Sequence, residues 1–199
     1  AEDPNGLPMG ELLRLFEAGQ PLAMMRTNEL SPTGIMTTAD TPEGAAARNS
    51  LHNRVIADAF IPAGGRPAAI NGSNWRDFLL PDGATPSAKL IVEGANLFVT
   101  PEARLALFEH CGLPIIKDSS ANKCGVICSS LEIAASMVLD DHELVELKPT
   151  YVPAVLDRLR ELARLEASRI VAESRLNPSI SLPELSVHLS HSIIRATHA

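Results

Sequence analysis

Three short segments combine small residues with groups able to make directed hydrogen bonds: Pro62-Ala63-Gly64-Gly65-Arg66, Glu93-Gly94-Ala95-Asn96 and Lys117-Asp118-Ser119-Ser120-Ala121-Asn122. Small residues let a flat ligand approach the backbone closely, and an asparagine side chain offers both a donor and an acceptor. Glycine, serine and asparagine also populate ordinary surface loops, so one such segment would carry little weight. Here each of the three follows a short apolar run, respectively Ala57–Ile61, Leu90-Ile91-Val92 and Pro114-Ile115-Ile116. That recurrence favours a ligand site built from three loops, with Gly64, Asn96 and Asn122 as its candidate residues.

Other chemistries find no support. There is no G-x-S-x-G elbow, no Walker loop and no H-E-x-x-H pair. The six histidines are scattered. His188 and His191 can share a helix face, but no third ligand lies near them in sequence, so a helix surface is expected and no metal site. Cys124 and Cys128 stand one helical turn apart, which fits neither a zinc knuckle nor C-x-x-C redox chemistry, and buried structural thiols are expected. The net charge of −7 and the 4% aromatic content argue against nucleic acid as a partner. The one basic cluster, Arg158 to Arg175, interleaves with Glu161, Glu166 and Glu173 and reads as a solvated helix face. No apolar run reaches membrane-spanning length, and the acidic start Ala1-Glu2-Asp3 lacks the layout of a signal peptide. Three cysteines form no disulfide framework, so a cytoplasmic, reducing location is expected.

The elements that would position the loops are legible in outline. The three apolar runs do not alternate with polar residues, as befits strands buried on both faces. Residues 62–89 and 93–113 separate them, each stretch long enough for a crossover, which predicts a parallel α/β sheet. In such a sheet ligands bind beyond the carboxyl ends of the strands, where the three loops lie. Thr41-Pro42-Glu43 and Thr100-Pro101-Glu102 repeat one helix-start signal and predict helices over 42–54 and 101–111, with Gly112 as a C-cap. Pro8 begins a short amino-terminal helix, and residues 21–40 read as an irregular excursion with a short strand near Ile35-Met36. From Gly125 the chain turns helical, with Ile127, Leu131, Ala134, Ala135, Val138 and Leu139 on one face. A long helix is predicted over 151–176, with Val152, Val155, Leu156, Leu159, Leu162, Ala163, Ile170 and Val171 as its apolar stripe. Ser181-Leu182-Pro183-Glu184 reads as a capping box for a last helix. The expected fold class is therefore α/β: a partial Rossmann-like parallel sheet with flanking helices over residues 1–139, then a helical appendage over 140–199.

Residues 90–104, Leu90-Ile-Val-Glu-Gly-Ala-Asn-Leu-Phe-Val-Thr-Pro-Glu-Ala-Arg104, closely resemble glutamate dehydrogenases. So do residues 117–132, Lys117-Asp-Ser-Ser-Ala-Asn-Lys-Cys-Gly-Val-Ile-Cys-Ser-Ser-Leu-Glu132, and the nearest match is the large-subunit NAD-specific class. Ala57-Asp-Ala-Phe-Ile-Pro-Ala-Gly-Gly-Arg66 is similar to a strand and loop of that class. The resemblance implies NAD as cofactor and reversible oxidative deamination of L-glutamate to 2-oxoglutarate and ammonia. It implies that Pro62, Ala63 and Gly64 line the dinucleotide site. It further implies that Gly94, Ala95 and Asn96 lie beside the nicotinamide ribose and that Asn122 lies near the carboxamide. Ser129 would hold a carboxylate of the amino-acid substrate.

The sequence also departs from the family pattern. Smaller glutamate dehydrogenases read Asn-Ala-Gly-Gly where this chain reads Asn122-Lys123-Cys124-Gly125, so easy access to positive φ is lost at Cys124. No G-x-G-x-x-G loop occurs, and no lysine stands in a motif matching the family's catalytic one. The expectation is a carboxyl-terminal fragment of a longer enzyme that supplies nicotinamide-side contacts, holds no catalytic residue and is inactive alone. A half sheet would expose an edge and apolar faces, so a homo-oligomer is expected. Two other readings stay open: a leucine, phenylalanine or valine dehydrogenase sharing the cofactor domain, and a non-catalytic regulatory or assembly module with a vestigial nucleotide pocket.

Overall fold

Parallel hydrogen bonding draws the three apolar runs together. In the computed structural model, which describes residues 1–198, strand β1 (Ile91–Val92) pairs in parallel with β2 (Ile115–Ile116). The first run adds to the other side of β1 through two parallel bridges, Ala57 to Ala88 and Phe60 to Ile91. The Phe60 amide donates to Leu90 O at 2.8 Å, and Phe60 O accepts from the Val92 amide at 3.0 Å. The run over 57–61 is thus bridged at two points and forms no continuous strand. A fourth segment, absent from the sequence reading, bridges Ile70 to Val99 in parallel.

The chain divides into two compact units, Ala1–Arg54 and a second from Val55 onward. In the second, one apolar core fills the sheet region. Phe78, Ile91, Val99 and Leu107 are wholly enclosed, and Phe60 packs its ring against Phe78 and Phe98. Each fully buried side chain of this size contributes roughly 1.5–3 kcal/mol, so this cluster dominates the unit's stability. The helix over Pro101–Cys111 closes one side of it through Ala103 and Leu107.

The first unit holds α1 (Met9–Glu17), α2 (Pro42–Asn49) and α3 (Leu51–Arg54). The helix predicted over 42–54 is broken at Ser50, whose hydroxyl donates back to Ala46 O. The excursion over 21–40 contains two 3-10 turns, Leu22–Met24 and Thr27–Glu29, and the strand expected at Ile35 is a single bridge to Glu2.

In the second unit α4 (Pro101–Cys111) starts on Thr100, whose hydroxyl accepts from the Ala103 amide, and stops at Gly112 with φ +67°. Short α5 (Asp118–Ala121) occupies what reads in sequence as loop, and α6 (Cys124–Ser136) follows. Helix α7 (Asp141–Leu176) begins ten residues before its predicted start, because Asp140 and Glu143 form a reciprocal capping box. Pro149 and Pro153 lie inside it. Helix α8 (Leu182–Thr197) has only half of the predicted box: Ser181 accepts from the Glu184 amide, with no return bond from the Glu184 side chain among the described residues. Helix α7 packs on α6 and α8, and α8 on β2.

The helical stripes are narrower than the sequence pattern predicts. On α7 Leu159 and Ile170 are buried, while Val152, Leu156, Ala163 and Val171 are exposed; Ala134 on α6 and Val138 just beyond its end are exposed. A helix of ~54 Å, at 1.5 Å per residue, outruns the elements packed against it. The exposed ion pairs Arg158–Glu161 and Arg160–Asp157 fit the solvated face expected there. All three cysteines are free and partly exposed, where burial was expected for Cys124 and Cys128. No helix of the described residues is long and apolar enough to cross a membrane.

Candidate functional site

Because the strands run parallel, their carboxyl ends face one way, and the three following loops leave from the same edge. They are tied together there. The Ala95 amide donates to Pro62 O at 2.7 Å, joining the first loop to the second. Gly94 sits in the junction: a Cβ placed on it would lie 3.2 Å from Pro62 O, closer than side chains normally approach, so glycine permits this loop spacing. Asn122 joins the third loop. Its Nδ2 donates to Gly94 O at 3.3 Å and to Asn96 Oδ1.

This pairing has a chemical consequence. Both hydrogens of the Asn122 amide are used, which leaves Asn122 Oδ1 as an acceptor. Asn96 accepts through Oδ1, which leaves its Nδ2 as a donor. Among the described residues neither of these two atoms has a protein partner. Pro62 is buried under the site, Ala63 and Gly64 are exposed, and a Cβ on Gly64 would meet nothing within 4 Å. An open backbone shelf therefore lies next to one free acceptor and one free donor. That donor set fits a flat group carrying a carboxamide and a sugar carrying hydroxyls. The sequence-derived residues Pro62, Ala63, Gly64, Gly94, Ala95, Asn96 and Asn122 are thus drawn to one edge. Ser129 is not joined to them by any hydrogen bond among the described residues; it is exposed on α6. Cys124 opens α6 without a positive φ, so the turn needs no glycine at that position.

Beneath the loops lies a charged cluster that the sequence reading missed. Glu93, fully enclosed, accepts from the Val99 amide at 2.9 Å, Arg104 Nε at 2.9 Å and the Asp118 amide at 3.2 Å. Arg104 Nη2 lies 2.7 Å from Glu93 Oε2 and 3.3 Å from Asp118 Oδ1, in charge contact without hydrogen-bond alignment. Asp118 Oδ2 in turn accepts from the Leu97 amide at 2.9 Å. Burial pushes the Glu93 carboxyl up, against the Arg104 charge and the Val99 amide, which favour its ionised form. Burial acts on Asp118 in the same sense but is outweighed: the Leu97 and Ser119 amides and the Arg104 charge hold its carboxyl below the usual range. The one available signal was a carboxylate directly after a buried strand.

A cavity of about 340 Å³ between α6 and α7, lined by Leu131, Val145, Tyr151 and Val152, is apolar, and none of the three loops lines it. Among the described residues no cluster of His, Cys, Asp and Glu could hold a metal ion.

A parallel sheet whose following loops meet at its carboxyl edge is a partial Rossmann-like α/β fold, and comparison gives the family. The model of the glutamate/leucine/phenylalanine/valine dehydrogenases matches residues 2–171, and the chain belongs to that family. It is 35% identical to a probable NAD-specific glutamate dehydrogenase of Schizosaccharomyces pombe, over 98% of this chain and 19% of that protein. It is 34% identical to the NAD-specific glutamate dehydrogenase of Saccharomyces cerevisiae, over 96% of this chain and 20% of the other. The Neurospora crassa NAD-specific enzyme is 37% identical over 86% of this chain. The chain thus spans about one fifth of the length of these relatives.

Proposed function

We propose that the chain supplies the nicotinamide side of an NAD-dependent glutamate dehydrogenase, which converts L-glutamate to 2-oxoglutarate and ammonia. The observation that carries this reading is the Asn96–Asn122 pair, with its free acceptor and free donor beside the Gly94 junction. NAD, when bound, would supply the hydride acceptor. The residues of this chain bind and orient. Asn122 Oδ1 receives the carboxamide N–H, Asn96 Nδ2 donates to a ribose oxygen, and the shelf over Ala63 and Gly64 receives the remaining flat surface. Ser129 donates to a substrate carboxylate. Residues 1–139 serve as the latter part of the cofactor domain and 140–199 as a helical region. The enzyme works as a homo-oligomer in the cytoplasm. Support for the first point comes from the exposed apolar residues Ile133, Met137 and Val138, and for the second from three free thiols.

Kinetics of two variants of the intact protein test the reading. Asn122→Ala should weaken NAD about two- to tenfold, the effect of one bond between neutral groups. Ser129→Ala should weaken glutamate roughly ten- to a hundredfold, because its partner is charged. Unchanged constants for both substrates in folded variants would sink the assignment.

A further inference from the structure

Leu97, next to Asn96, has φ +55°, a left-handed conformation that a branched apolar residue rarely adopts. Its side chain is exposed, so apolar burial does not compensate for the conformation. Hydrogen bonds on either side of the residue hold it instead: its amide donates to Asp118 Oδ2, and its carbonyl accepts from the Ala68 amide at 2.7 Å. Asp118 is itself anchored, through its amide to Glu93 and through Oδ1 to the Arg104 guanidinium. The anchor spans the two loops that carry Asn96 and Asn122. A buried ion pair of this kind adds little net stability against an apolar replacement; what it does supply is fixed geometry.

We propose that Asp118, held by Arg104 and Glu93, is a positioning residue for cofactor binding. It locks the backbone at Leu97 so that Asn96 meets Asn122 in the arrangement that receives the nicotinamide nucleotide. This rests on the assignment of that site to NAD. Asp118 touches no cofactor atom itself and acts through the two asparagines.

The test is calorimetric NAD binding to the intact protein, with thermal melting as a parallel readout. Asp118→Ala should raise the Kd for NAD about tenfold, the loss of one charge-assisted bond, and leave the KM for glutamate unchanged. Asp118→Asn keeps an oxygen for the Leu97 amide and should recover all but about threefold of the affinity, since only the charge is lost. The Asp118→Ala/Asn122→Ala double variant should lose less than the product of the single losses, because both act on one pair. If Asp118→Ala does not fold, Arg104→Lys replaces it: the charge stays, the planar fork is gone, and NAD affinity should fall severalfold. A lowered melting temperature with unchanged NAD affinity in either variant overturns the positioning role. If Asn122→Ala also leaves NAD binding unchanged, the site assignment has failed; if Asn122→Ala weakens NAD and Asp118→Ala does not, only the positioning role has failed.

Discussion

The two units solve the problem of holding a chain together with different physics. From Val55 onward, a contiguous apolar core is enclosed by sheet and helices, and its buried charges sit beneath the loops at the carboxyl edge of the sheet. In Ala1–Arg54 the buried apolar residues are Leu15 and Met25, and carboxylates do much of the organising. Glu11, 3% exposed, gathers Arg14 Nη2 at 2.7 Å, Arg26 Nη2 at 2.7 Å and the Arg26 amide at 3.0 Å. Asp3 accepts from the Ser31 amide and hydroxyl, and Glu2 takes both Nη atoms of Arg54. Apolar burial is non-directional and insensitive to pH, whereas a carboxylate hub works only while ionised. The units should therefore fail under different conditions.

The largest effect belongs to the sheet unit. Phe78→Ala empties a fully enclosed site between Phe60 and the rest of the core, and should cost about 3–5 kcal/mol in urea unfolding, the usual range for a buried phenylalanine. A loss below about 1 kcal/mol, the size of an ordinary surface change, would break the contrast.

Acid should separate the units more finely. Hydrogen bonds from Arg14 and Arg26 hold the Glu11 carboxyl well below its ordinary 4.5. A carboxyl depressed on folding stabilises above the ordinary value, and that contribution disappears as the pH falls below 4.5 toward the depressed one. Asp3 and Glu2 shift in the same direction, so their losses add. In the sheet unit the buried pair is balanced, Glu93 raised and Asp118 lowered, and the other lowered carboxylates, Asp58, Asp82 and Glu102, are exposed and lie outside the apolar core. The single tryptophan, Trp75, and the single tyrosine, Tyr151, both lie in the sheet unit, so fluorescence reports on that unit alone. At about pH 3, amide exchange over residues 9–17 should accelerate while Trp75 emission stays native, and Glu11→Gln should remove most of that pH dependence. Simultaneous loss of both signals contradicts the division.

The smallest effect sharpens the comparison most. Thr41 and Thr100 cap helices with the same motif, one in each unit. Thr41→Ala and Thr100→Ala should each cost about 1 kcal/mol. Helix α4 keeps Ala103 and Leu107 in the core and should persist without its cap; α2 buries only Gly44 and should fray, visibly in its amide exchange.

What was legible in the sequence was local or periodic. Thr41, Thr100 and Ser181 announce helix starts because a cap satisfies amides within one turn, and Gly112 announces a stop because its φ is positive. The Asp140–Glu143 box carried the same signal as the one read at Ser181, so the true start of α7 was also written locally. The convergence of Gly64, Asn96 and Asn122 was legible because parallel strands must send their following loops to one edge. What only the tertiary structure decided is the bonding between those loops and the charges beneath them. Arg104 and Asp118 lie 11 and 25 residues beyond Glu93, and no spacing rule links a carboxylate after one strand to a guanidinium in the next helix. Leu97 shows the same limit, since its sequence favours φ below zero and long-range hydrogen bonds impose the opposite. Local propensity is worth fractions of a kcal/mol per residue, so a few tertiary bonds in an enclosed site override it.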